Sequence, residues 1–198
     1  MGEKSVQKKK YIIEKARGVF AQKGFKDVTM KDIVDACEIS RGGLYLYFSS
    51  TQELFLQVLA DDNSEDDEEA VVAALSGDAS AGDMLALFLK EQKKEILRKK
   101  NNLTVATYEY FSLYKVADRD NPLKNQFDTA VRIIEKLIEN GVENDEFYCE
   151  NPLGCARNLM YVVEGLKIAS KTIGVTEDAI DKELMYVLEG LVPEELNN

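Results

Sequence analysis

The apolar positions recur with helical spacing almost from the start of the chain. Over residues 7–23, Ile12, Ile13, Ala16, Val19 and Phe20 share one face at the i, i+3, i+4, i+7 spacing, and Gly24 stands where a glycine closes a helix. Thr29 and Asp32 form the T-x-x-D pair of a helix start, which predicts a second helix with Ile33, Val34 and Cys37 inward and an end near Glu38. Ile39 falls in the turn that follows, and the Ser40 hydroxyl caps a third helix over about residues 41–48. Ser50 and Glu53 repeat the capping pair for a fourth helix carrying Leu54, Phe55, Val58 and Leu59. Two short helices joined by a tight turn, behind a longer supporting helix and a lysine-rich start, are the organisation of a helix-turn-helix.

The third of these helices reads SRGGLYLYF, residues 40–48. At about 100° per residue, Leu44 and Phe48 point inward while Gly42, Gly43 and Leu46 fall on the opposite side. That outward face is bare at its N-terminal end, so the backbone can approach the floor of a major groove, with Arg41 beside it placed for a guanine edge or a phosphate. Tyr45 and Tyr47 lie on the shoulders, where their hydroxyls are positioned to donate to phosphates.

The remaining two thirds of the chain repeats the helical pattern without a motif of its own. Ser80 and Asp83 cap a helix through Met84, Leu85, Leu87, Phe88 and Leu89 to about Lys99, and others are expected over residues 103–117 and from near Pro122 to Gly141. Asn151 with Pro152 opens a long helix through Leu159, Met160, Val163 and Leu166 to Gly174, and Thr176 caps a last one. Residues 61–81, with Ser76-Gly77-Asp78, read as a mobile link.

Composition supports an all-α chain: of 198 residues, 45% are hydrophobic and only three are proline, and period-2 alternation is scarce. No apolar run approaches the length of about 18 needed to span a membrane, so a cytoplasmic protein is expected. Three cysteines at no metal-ligand spacing and no histidine argue against a zinc site or a Ser-His-Asp triad, and the cysteines read as buried thiols in a reducing compartment. Neither an enzyme, a metal nor a cofactor is expected. Charge divides the chain: residues 1–50 carry +4, which leaves −15 of the total −11 on the other 148 residues. A body this acidic repels phosphate, so nucleic acid must be met by the N-terminal end. The acidic extreme, DDNSEDDEE at residues 61–69, is a solvated face or an interaction patch.

The block TMKDIVDACEISRGGLYLYFSSTQELF, residues 29–55, resembles the DNA-binding domain of TetR-family transcriptional regulators, and the likeness extends over about residues 8–60. The resemblance implies two domains, a three-helix helix-turn-helix domain over 1–60 and a helical effector-binding and dimerisation domain over 61–198. It makes Thr29 and Tyr45 phosphate contacts and puts Arg41, Gly42, Gly43, Leu46 and Tyr47 at groove-facing positions. Where the family often has histidine this chain has Tyr47, and where it often has lysine this chain has Thr51, which shifts weight onto Lys4, Lys8, Lys9 and Lys10.

In such regulators the last two long helices pair across a twofold axis. Here that implies a homodimer built by residues 152–191, and the small residues Gly154, Ala156, Gly165 and Ala169 suit close helix approach or an internal core. Phe88, Tyr108, Tyr110, Phe111, Tyr114, Phe127 and Tyr161 are candidates to line an effector pocket, or are core. The reading is a dimeric repressor released from a palindromic double-stranded DNA operator by a small molecule. Its rival is an acidic helical protein that holds a basic protein partner.

Overall fold

The computed structural model describes residues 2–61 and 80–191. All regular structure among them is helical, as the spacing of apolar positions predicts. The link expected over residues 61–81 and the acidic run 61–69 fall almost wholly outside the described residues. The chain forms two compact units, and the first is discontinuous: Met1–Asn63 together with Lys99–Lys124.

In the first unit, α1 (Glu3–Lys23) buries Ile12, Ile13, Ala16 and Phe20. It ends at Gly24, whose φ of 79° is open to glycine at little cost. Its lysine-rich start is helical from Glu3 onward. The expected T-x-x-D start is present at α2 (Met30–Cys37), where Thr29 and Asp32 form a full capping box. Glu38 closes α2 in the left-handed region. The third helix, α3 (Arg41–Tyr45), is shorter than the spacing predicts. Two glycines hold it weakly, and the Tyr47 and Phe48 N–H groups both donate to the Leu44 carbonyl, turning the chain into the next cap. There Glu53 N–H donates to Ser50 Oγ, while Ser49 donates to the Glu53 carboxylate from its N–H and its hydroxyl, opening α4 (Thr51–Ala60).

The segment 99–124, which the expected division at residue 60 assigns to the second domain, packs with this unit. It carries α6 (Thr104–Leu113), numbered after the α5 described below. Tyr110 of α6 is 3% exposed, 4.9 Å from the Phe25 ring and 5.2 Å from that of Phe55. Leu103 and Ala106 join the same core. The helix stops four residues before the expected end because Tyr114 turns extended, brings its ring 5.8 Å from Phe25 and accepts a hydrogen bond from Gln52.

The second unit contains α5 (Ala81–Leu97), most of α7 (Pro122–Glu143), α8 (Pro152–Thr172) and α9 (Glu177–Glu189). Leu85, Leu89 and Ile96 of α5 pack with Val131, Ile134 and Ile138 of α7, with Leu159, Met160 and Val163 of α8, and with Ile180 and Leu184 of α9. The expected caps at Ser80, Asn151 and Thr176 each accept a backbone N–H three residues on. Glu146 receives two more N–H groups from the start of α5, at Ala81 and Gly82. Among the small residues of α8, Ala156 is fully buried in the unit's own core, whereas Gly165 is exposed to open space. None of the described helices is long and apolar enough to cross a membrane.

Candidate nucleic-acid interface

The helix-turn-helix is built so that the inner residues of α3 fix its outer ones. Leu44 and Phe48 are buried, as their spacing predicts, and they clamp α3 and the turn behind it onto the core of α1 and α4. On the opposite side Leu46 is 81% exposed, and a side-chain carbon built on Gly42 meets nothing within 4 Å. The fold itself leaves room for a side chain at Gly42. Gly43 differs: the same construction brings its added carbon 3.1 Å from Ser40 Oγ, which accepts the Gly43 N–H as the cap of α3. A side chain at position 43 therefore has to be accommodated by a small shift of the Ser40 hydroxyl.

Arg41 and Thr29, twelve residues apart in sequence, line one concavity of about 490 Å³ with Met30, Lys31, Val34 and Asp35. The Arg41 guanidinium lies 5.5 Å from the centre of the Tyr45 ring, so the arginine is held at the opening of α3 before any partner arrives. Tyr45 is exposed, while Tyr47 is half-buried and packs on the core, giving the two tyrosines different freedom to meet an outside group. Thr29 Oγ1 donates to Asp32 and accepts the Asp32 N–H, so its hydroxyl is already part of the cap. Lys23 beside Asp32, together with Thr29, holds the Asp32 carboxyl far below the usual carboxylate range. The charged cap makes the entrance of α2 rigid.

The four N-terminal lysines are not equivalent. Lys4 and Lys10 are exposed, but Lys9 donates to Gln57 of α4 at 2.8 Å, and Lys8 lies 5.0 Å from the centre of the Tyr11 ring. Sequence spacing gave no sign of the Lys9 to Gln57 contact, which depends on α1 crossing α4.

The seven aromatic candidates for an effector site separate between the two units. Tyr108, Phe111 and Tyr114 lie on or just after α6 in the first unit, where Phe111 and Tyr114 pack around Tyr110. Phe127 and Tyr161 meet in the second, with ring centres 5.1 Å apart, and Phe88 packs against that unit's core. A residue the sequence reading passed over is Glu109. Its carboxylate accepts the Phe25 and Lys26 N–H groups at the exit of α1, and a glutamate among aromatics on an otherwise unmarked helix carried no signal of it.

Two families match this chain in succession. "Bacterial regulatory proteins, tetR family" covers residues 12–58, and "Tetracyclin repressor-like, C-terminal domain" covers residues 84–181. The chain is 29% identical over 143 residues to the HTH-type transcriptional regulator YfiR of Bacillus subtilis, spanning 72% of this chain and 69% of that one. In fold it resembles NemR of E. coli in its reduced form, with a TM-score of 0.76, 16% identity and coverage of 94% and 98% of the two chains. It also resembles FadR of Bacillus subtilis in complex with stearoyl-CoA, with a TM-score of 0.70, 16% identity and coverage of 91% and 97%. The capped helix-turn-helix with its bare outward face and the succession of both family matches lead to one conclusion: the chain belongs to the TetR family, as a DNA-binding transcriptional regulator and not an enzyme.

Proposed function

We propose that the protein is a homodimeric repressor that places α3 in the major groove of a palindromic operator and leaves it when a small molecule binds the second unit. The observation that carries the DNA reading is the outward face of α3, with Gly42 in open space and Leu46 exposed opposite a fully buried Leu44. Gly42 and Gly43 let the helix backbone come close, Arg41, Leu46 and Tyr47 face or flank the groove, Tyr45 meets phosphates, and Thr29, whose hydroxyl and N–H both go to Asp32, sets the entrance of α2 beside them.

A single helix-turn-helix contacts few base pairs, so two copies related by symmetry suit this surface. Support for a pair comes from α8 and α9. Tyr161, Gly165 and Ile168 form one exposed stripe along α8, and Met185 and Tyr186 are exposed on α9. Apolar groups left in water at this density favour a partner helix pair. For the effector, Phe88 and Phe127 of the second unit are the retained candidates, since Tyr161 stands on the exposed stripe of α8. Phe111 and Tyr114 have their rings committed to the first unit, and Tyr108 stands exposed on the same helix. Release follows if the effector binds more tightly to a conformation whose two α3 helices are wrongly spaced, since only differential affinity shifts a population.

The test is selection of bound duplexes from genomic fragments, followed by titration of the recovered site at several salt concentrations. A palindromic site whose affinity falls steeply with salt supports the reading. Affinity that does not distinguish the recovered site from random duplex overturns it.

A further inference from the structure

The sequence suggests three inert buried thiols, but the structure separates them. Cys37 is 2% exposed in the core of the first unit. Cys149 and Cys155 are half-buried in the second, six positions apart and on the wall of the same cavity. That cavity, of about 580 Å³, opens to solvent and is walled on its far side by Tyr186, Val187, Glu189 and Gly190 at the end of α9.

We infer that Cys149 and Cys155 form a reversible dithiol–disulfide couple, oxidised by hydroperoxides that enter this cavity. The two residues flank the start of α8, six positions apart, so the ring closed by a disulfide is short and joins no distant elements. The backbone between them is already folded back. Asn151 Oδ1 accepts the Gly154 N–H at 3.0 Å, and the Asn151 carbonyl accepts the Cys155 N–H at 3.0 Å. Upstream, the Tyr148 N–H donates to the Leu191 carbonyl, which holds the residue before Cys149 against the end of the unit.

The order of events follows from the surroundings. Burial, reinforced by the adjacent Cys149 sulfur, pushes the Cys155 thiol up to about 11, so Cys155 keeps its proton at neutral pH. Cys149 is therefore the first thiol oxidised. Its sulfur attacks the distal peroxide oxygen, the O–O bond breaks, and Cys149 becomes a sulfenic acid while the other oxygen leaves as water or an alcohol. The Cys155 sulfur then attacks the Cys149 sulfur. The hydroxyl leaves with the Cys155 proton as water, so that two thiols have lost two electrons to one peroxide. A dithiol reductant reverses the couple by exchange. None of this depends on the operator, and Tyr186 of the cavity wall is shared with the proposed dimer seam.

The experiment uses the full-length protein, hydrogen peroxide as oxidant and iodoacetamide to count thiols. The expected result is an intact mass lower by two hydrogens, one alkylatable thiol in place of three, a crosslinked peptide pair joining Cys149 to Cys155, and full recovery in dithiothreitol. Cys37→Ser should undergo the same reaction. Cys155→Ser should lose the intramolecular link and retain a Cys149 sulfenic acid that dimedone traps. Wild-type protein that keeps three free thiols under these conditions, or links only between chains, overturns the inference. So does a Cys149→Ser variant that still loses two hydrogens within one chain.

Discussion

Glu109 and Phe25 lie 84 positions apart in sequence, yet the Phe25 N–H donates to Glu109 Oε2 at 2.7 Å, and the Lys26 N–H donates to the same oxygen at 3.0 Å. The contact closes the exit of α1 with a side chain from α6. A side-chain carbon at Gly24 would meet the movable end of Glu109, so the positive φ is what reserves the position for glycine. Glu109→Ala strands two N–H donors at a partly buried turn, and the expected loss is about 1–3 kcal/mol of stability, with Glu109→Gln losing less. Urea unfolding of the three proteins measures it. Equal stability of wild type and Glu109→Ala would show that water replaces the carboxylate at no cost.

The outward glycines of α3 separate fold from function. Gly42→Leu puts its side chain into open space, so its melting temperature should hold or rise, because glycine is about 1 kcal/mol worse than alanine inside a helix. Operator binding should nevertheless be abolished by exclusion from the groove. Gly43→Leu should also lose binding, while its stability turns on whether the Ser40 hydroxyl gives way to the added side chain. Melting curves beside duplex titrations distinguish the two, and a Gly42→Leu protein that binds its operator normally rules α3 out as the reading helix.

Arg41 is held beside Tyr45 by ring contact and lies at the edge of the Thr29 concavity, ready for either a base or a phosphate. Arg41→Ala should cost roughly 1–3 kcal/mol and relax preference at one base pair if the guanidinium reads a guanine. A phosphate role instead weakens all duplexes alike and lowers the salt slope by about one. Titration against the operator and single-base variants at several salt concentrations decides the role. Unchanged affinity for every duplex removes Arg41 from the interface.

Acid should loosen the first unit through Asp32. Its carboxyl is held below the ordinary value of 3.8 by the Lys23 hydrogen bond and then by Thr29, so the unfolded chain takes up this proton before the folded one. The stability it contributes is therefore fully present above that ordinary value and is lost progressively as pH falls below it. Asp32→Asn should be less stable than wild type at neutral pH, and the gap should narrow on going to about pH 3. Denaturant midpoints at both pH values give the comparison, and a gap that stays constant contradicts the assignment.

The exposed stripe of α8 supplies a test of association. Ile168→Glu places a charge on the proposed seam at an exposed position of α8, so the variant should remain helical by circular dichroism yet scatter light as a monomer. A wild-type protein that is itself monomeric at micromolar concentration, free and on DNA, removes the dimer.

The chain's helices and their starts were legible because each rests on local chemistry. An oxygen of Thr29, Ser40, Ser50, Ser80, Asn151 or Thr176 needs only the backbone three residues on, and the 3.6-residue period puts Leu44 and Phe48 inward whatever lies beneath them. The same locality exposed the outward face of α3. Tertiary structure decided the rest. Whether Tyr110 joins the first core, whether Lys9 is held by Gln57, and whether Cys149 and Cys155 face one cavity all depend on packing and on how the chain turns between helices, and spacing within one helix carries no information about that. Helical length also yielded to packing. Tyr114 leaves α6 where the period would continue, because its ring and hydroxyl find Phe25 and Gln52, and those contacts outweigh one more helical turn.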